Sequence, residues 1–185
     1  NWLPKKNTCG ADTASVVWGY RTVAPTPNEI RPTYLGPVVI AETGIAVKPT
    51  YGNNLPAEGS IVQFNLPIDQ TLDWADPLGA TGPVGCAPDQ FGNFTNPLCG
   101  TIPYSGPIPI ATHLHGGEVA PAYDGGPDAW FTQGNTYTGP GYPGPTYNYP
   151  MNQQESTIWF HDHALGITRL NVYAGLAGLM PIIDP

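Results

Sequence analysis

All four histidines of this 185-residue chain stand in two His-x-His pairs. His113 and His115 lie in IATHLHGGE (110–118), and His161 and His163 lie in TIWFHDHALG (157–166). On an extended strand, residues i and i+2 project from the same face about 6.6 Å apart, at roughly 3.3 Å of rise per residue. Each pair is then a two-toothed comb, and two combs on neighbouring strands would bring four imidazoles into one small volume. Imidazole nitrogen suits copper, zinc, iron and nickel. The flanking runs IPIAT and TIWF are apolar, so these strands are buried on at least one side. Imidazoles left there without partners would cost free energy. The pattern therefore predicts metal binding by His113, His115, His161 and His163. Teeth about 6.6 Å apart reach poorly around one ion at the ~2.0 Å bonds of imidazole. They are better placed to hold two ions each. The spacing points to a metal cluster, and four imidazoles cannot saturate one, so further ligands must come from elsewhere.

The elements that would carry these combs are strands. Helical periodicity is scarce, and short apolar runs broken by Gly, Pro, Asn and Asp dominate. Strands are predicted over 15–23, on both sides of Thr43-Gly44 within 36–55, over 59–68, over 108–118 ending at two glycines, over 154–165, and over 178–185. A turn leads into the aromatic run of 123–132, and 134–150 is rich in turns before another strand. Residues 166–178 read as a short helix or turn with Leu170, Tyr173 and Leu176 on one face. Seven or eight strands with turns between them are the pattern of an all-β sandwich. The expected organisation is a single domain over 1–185, with a loop-rich insertion at about 70–106.

Composition agrees with this and excludes several classes. Gly and Pro, 23 of each, are taken up by turns, while ten Tyr and five Trp argue against disorder. The net charge is −8 and no Lys/Arg cluster exists, so a nucleic-acid footprint is not expected. No apolar run is long enough to span a membrane. The chain begins at Asn1, as a processed, trimmed or partial chain would. Cys86 and Cys99 bracket a Pro- and Gly-rich loop, with a spacing that fits a loop-pinning disulfide better than a zinc site. That reading implies an oxidising compartment: extracellular, periplasmic or at the cell surface. Cys9 is then free or paired outside the chain. The sequence NFT (93–95) is a glycosylation sequon.

The segments THLHGGEVAPAYDGGPDAWFT and WFHDHALGITRLNVYAGLAG resemble the two copper motifs of the first cupredoxin domain in the multicopper oxidase family, in the branch of spore-coat laccases and bilirubin-oxidase-like enzymes. PTYLGPVVIAETGIAVKPTYGNNLP (32–56) resembles the opening strands of that domain, and the likeness covers most of 15–185. The resemblance implies a Greek-key β-sandwich of cupredoxin type. It implies that His113 binds a type 2 copper, His115 and His161 one type 3 copper, and His163 the other. These coppers would form the trinuclear centre that reduces dioxygen to water. Gly116 and Gly117 would let the backbone pass close to the cluster. Asp124 matches an acidic residue near the type 2 copper and is the candidate catalytic residue, as a proton relay; by itself it reads as an ordinary turn Asp in YDGG. Asp162, between two ligands, should point to the opposite face of its strand as a structural partner. Arg169 and Asn171 read as structural polar contacts. Trp130, Phe131, Trp159 and Phe160 are expected to pack around the site without chemistry of their own.

The family's type 1 copper needs a Cys flanked by His, and no Cys here neighbours a His. The family's C-terminal set of histidines is absent as well. The expectation is an N-terminal domain of a laccase-like oxidase, its copper centre completed by the remaining cupredoxin domains or by a separate C-terminal chain. The alternative is a free-standing copper-binding module without turnover.

Overall fold

The computed structural model describes residues 2–6, 12–23, 35–56, 68–69, 72–79 and 104–184. Cys9, Cys86, Cys99, the sequon at Asn93 and most of the strand expected over 59–68 lie outside the described residues. The described chain contains six strands and one short α-helix. Strands β1 (Trp2–Lys6) and β2 (Asp12–Val16) pair antiparallel. The others are β3 (Ala41–Glu42), β4 (Thr112–His115), β5 (Ser156–Asp162) and β6 (Ala177–Ile183), with α1 (Thr168–Ala174) between β5 and β6. They form a mixed four-stranded sheet in the order β3-β6-β5-β4. β4 and β6 run antiparallel to β5, whereas β3 joins β6 in parallel.

Alternation along β5 explains the layering. Ile158, Phe160 and Asp162 are buried on the inner face, with Leu114 and Thr112 beside them on β4 and Met180 and Ile182 on β6. A second layer lies across that face. It consists of extended segments joined by the bridges Val47↔Tyr149 and Thr50↔Thr146, with the turn at Thr43-Gly44 as expected. Tyr147, Tyr149 and Met151 from this layer fill the space against Leu114, Ile158, Phe160 and Met180. The chain is therefore an all-β sandwich of cupredoxin type, its second layer held more by packing than by long ladders.

A second apolar cluster closes one end of the sandwich. Trp18, Tyr104, Ile108, Ile110, Phe131, Ile167, Leu170 and Leu176 meet there, with Trp74, Ala75 and Leu78 packed among them. The described ends of the expected insertion thus contribute to the core. The N-terminal strand differs from expectation: β2 stops at Val16, Val17 is buried, and Trp18 turns its side chain into this cluster, with its N–H donating to Ala174 O at 2.7 Å. In α1 the buried face is Leu170, Asn171 and Ala174, while Tyr173 points to solvent. The helix ends at Gly175 (φ 121°), and Leu176 beyond it joins Leu170 in the cluster, so of the expected Leu-Tyr-Leu face only Tyr173 departs.

Phe160 is 3% exposed, meets Tyr20 edge-on at 5.2 Å and stacks over Gly178. Phe160→Ala is expected to lower stability by about 3–5 kcal/mol, measured by urea denaturation. A loss below 1 kcal/mol would mean that the inner face is not a packed core.

Candidate metal centre

Register places the histidines. β4 and β5 pair so that His113 stands directly opposite His161 and His115 opposite Trp159. Directly paired residues share a face, so His113, His115, Trp159 and His161 all project from the outer face of the sheet. His163 continues that face beyond the end of β5, where its N–H still donates to Ala111 O at 2.7 Å. The rings converge. His113 lies 5.6 Å from His115, 5.3 Å from His161 and 4.9 Å from His163, centroid to centroid. Ligand atoms of His113, His115 and His161 all fall within 4.8 Å of one another. His163, 5.8 Å from His161, stands beside that group.

Hydrogen bonds select the nitrogen each ring presents. His113 Nδ1 donates to Asp124 O at 2.6 Å, and His161 Nδ1 donates to Asp162 O at 2.7 Å. A carbonyl oxygen only accepts, so both rings carry their proton on Nδ1 and offer Nε2. His115 Nδ1 faces His161 Nε2 at 3.1 Å. Two nitrogens that far apart, each about 2.0 Å from a shared ion, subtend roughly 100° at it, close to the tetrahedral angle. The closest approach is thus between teeth of different combs. Sequence spacing, which considers each comb alone, does not show it. His163 Nδ1 is buried without a hydrogen-bond partner. Burial pulls the pKa values of His161 and His163 down, and the neighbouring imidazoles add to this. Neutral rings with free lone pairs are the form that binds a cation. The donor set, the 3.1 Å approach and the orphaned His163 nitrogen all fit a transition-metal site.

Asp162 holds the two combs together from behind. Its side chain points to the inner face, as alternation predicts, and is fully buried. Its carboxylate accepts hydrogen bonds from Ala111 N–H at 2.9 Å, Ala164 N–H at 3.2 Å and Asn171 Nδ2 at 3.0 Å. Asn171 Nδ2 also donates to Pro109 O. The approach to β4, the exit from β5 and helix α1 are thereby tied to one residue between two histidines. Burial pushes the Asp162 carboxyl up to about 7, against the lowering effect of its three donors.

Asp124 caps the 3-10 turn Pro121–Tyr123. Its carbonyl holds His113, and its half-exposed carboxylate lies 3.4 Å from the same Nδ1. Gly125 (φ 71°) lets this turn lie directly on the β4 backbone, because a Cβ there would collide with Thr112. Of the four aromatics expected around the site, only Trp159 meets the histidines; Phe131 and Phe160 belong to the two cores and Trp130 packs against the end cluster. Sequence reasoning missed Gln153. Its Nε2 donates to Gly116 O at 3.0 Å and its Oε1 accepts Glu118 N–H at 2.7 Å, closing the turn that follows His115. Nothing local marks that glutamine, since its partners lie more than thirty residues earlier in the chain.

Comparisons with known proteins bear on this site. The family model of multicopper oxidases matches residues 107–185, the stretch that carries both histidine pairs. The chain is 37% identical over 172 residues to multicopper oxidase LPR1 homolog 1 of Oryza sativa subsp. japonica, covering 93% of this chain and 23% of that protein. It is 33% identical over 169 residues to a laccase of Bacillus subtilis (strain 168), covering 91% of this chain and 25% of that one. Among solved structures, a multi-copper oxidase from Pediococcus acidilactici superposes on the whole chain with a TM-score of 0.51 at 20% identity, over 24% of its own length, which speaks for the fold alone. The chain thus spans about a quarter of the length of the curated relatives it matches.

Asp162→Ala leaves two backbone N–H groups and the Asn171 amide without their acceptor, and we expect a loss of about 3 kcal/mol or more in denaturant unfolding. Gln153→Ala is expected to cost less than ~1 kcal/mol, as exposed hydrogen bonds do, yet to speed amide exchange at Glu118 selectively. Unchanged protection at Glu118 would show that another contact holds the turn.

Proposed function

Because this chain belongs to the multicopper oxidase family, we propose that His113, His115, His161 and His163 supply half of the histidine ligands of a trinuclear copper centre at which a laccase-like oxidase reduces dioxygen to water. The observation that carries the reading is the approach of His115 Nδ1 and His161 Nε2 to 3.1 Å across two strands. That is the pair the family motif assigns to one type 3 copper. His113, anchored by Asp124 O, would serve the type 2 copper, and His163, with its unpartnered nitrogen, the other type 3 copper.

When bound, copper contributes one-electron redox chemistry, which zinc cannot. The protein's own residues do the rest. Two carbonyls fix the tautomers of His113 and His161, Asp162 fixes the register, and His115 stands exposed at the rim of the site. The Asp124 carboxylate, beside His113 and half in solvent, is placed to pass protons between water and the site, and dioxygen reduction consumes them. The remaining ligands would come from other cupredoxin domains or a C-terminal chain seated on that face. Its character supports this, because Val38, Ile40, Leu179 and Ile183 form an exposed apolar strip beside the histidines. Electrons would enter from a reducing substrate through a type 1 copper held outside these residues.

The test is metal analysis with substitution. The chain is expected to take up copper in a histidine-dependent way, with His161→Ala and His115→Ala each weakening uptake at least tenfold, roughly the loss of one strong ligand, as read by titration and by the Cu(II) electron paramagnetic resonance spectrum. In the longer polypeptide the same substitutions should abolish oxygen consumption. Copper uptake indifferent to all four histidines would end the proposal.

A further inference from the structure

Two of the ligand rings are oriented by backbone carbonyls, but His115 has no such anchor among the described residues. Among the described residues its ring has one polar contact, with the other ligand His161. It is the exposed last residue of β4, where the chain turns away at Gly116 (φ 88°). The terminal torsion of an imidazole is broad, so a ring at such a place sweeps widely unless something flat lies against it. The indole of Trp159 does, 5.0 Å away and inclined by 31°. The same indole lies 4.2 Å from His161, also at 31°. Register explains the double contact, because Trp159 stands opposite His115 on the neighbouring strand and two residues before His161 on its own. Trp159 belongs to neither apolar core and is only half-buried, so core packing does not account for its place.

We propose that Trp159 is a positioning residue, a flat wall that holds the His115 ring in the orientation in which His115 and His161 share one copper ion. The inference rests on the copper reading above and adds to it a residue that touches no metal. Removing the wall frees His115, the more exposed of the two rings that no carbonyl orients, and leaves His113 and His163 as they are. Stacked aromatic pairs contribute little individually, so the expected loss in Cu(II) affinity is about three- to tenfold.

Cu(II) titrations of the 185-residue chain in a double-mutant cycle test this. Trp159→Phe, which keeps a planar ring, should bind within about twofold of the native chain, and Trp159→Leu should bind about three- to tenfold more weakly. In a His115→Ala background, Trp159→Leu should change nothing further, because the ring it positions is gone. Trp159→Met, also non-planar, repeats the cycle if the leucine variant fails to fold. Equal affinity of native and Trp159→Leu, or the same loss with and without His115, would overturn the role of the wall while leaving the copper site intact. A native chain without histidine-dependent copper uptake would overturn the copper reading, and this inference with it.

Discussion

The structure depends on one buried carboxylate, Asp162, that forms no ion pair among the described residues. Asp162 sits between two histidines on β5 and accepts three hydrogen bonds, from the approach to β4, from the residue after His163 and from helix α1. Strand pairing by itself sets register only as well as the two faces differ. Here the outer face carries histidines, Trp159 and exposed aliphatics, and a slip by one residue would send them inward. Asp162 makes that slip costly, because it would carry the carboxylate away from its donors on Ala111 and Asn171. Every distance among the imidazoles follows from this registration.

The ligands are held to different degrees. His113 and His161 are fixed through Nδ1, and His161 is almost wholly buried. His115 stands at the open rim and His163 just past the end of its strand. Such a gradient lets part of the donor set be rigid before any ion arrives, while the rest adjusts to the ion. The aromatic layer beneath gives the sheet its stiffness. Tyr20, Tyr51, Tyr147 and Tyr149 form a chain whose successive rings meet edge to face at 6.3, 5.3 and 6.2 Å. Burial holds their hydroxyls protonated; that of Tyr51 is pushed up to about 12.

Much of this was legible in the residues. Alternation in TIWFHDH already separates a histidine face from an Ile-Phe-Asp face, and the core beneath the sheet follows from it. The inward aim of Asp162 could be read the same way, as could the polar structural role of Asn171. What could not be read were contacts between segments far apart in the chain. The approach of His115 to His161 needs the register of two strands, and Gln153 reaches its turn through space. The helix face differs from the spacing because Tyr173 points to solvent, while Leu176, past the helix end at Gly175, reaches the cluster of Leu170. Val17 and Trp18 looked like strand and became core, since β-branched and aromatic residues suit both.

The parallel seam between β3 and β6 has a consequence for how the molecule is made. Ala41 pairs with Ile182, so residues near the beginning of the chain wait for residues near its end. Contacts of such long range close late, because the entropy of bringing the ends together is lost before the contact is gained. On a ribosome, β4 and β5 can zip while β6 is still inside the exit tunnel. The imidazole combs would then assemble in a nascent sheet whose seam between β3 and β6 is still open.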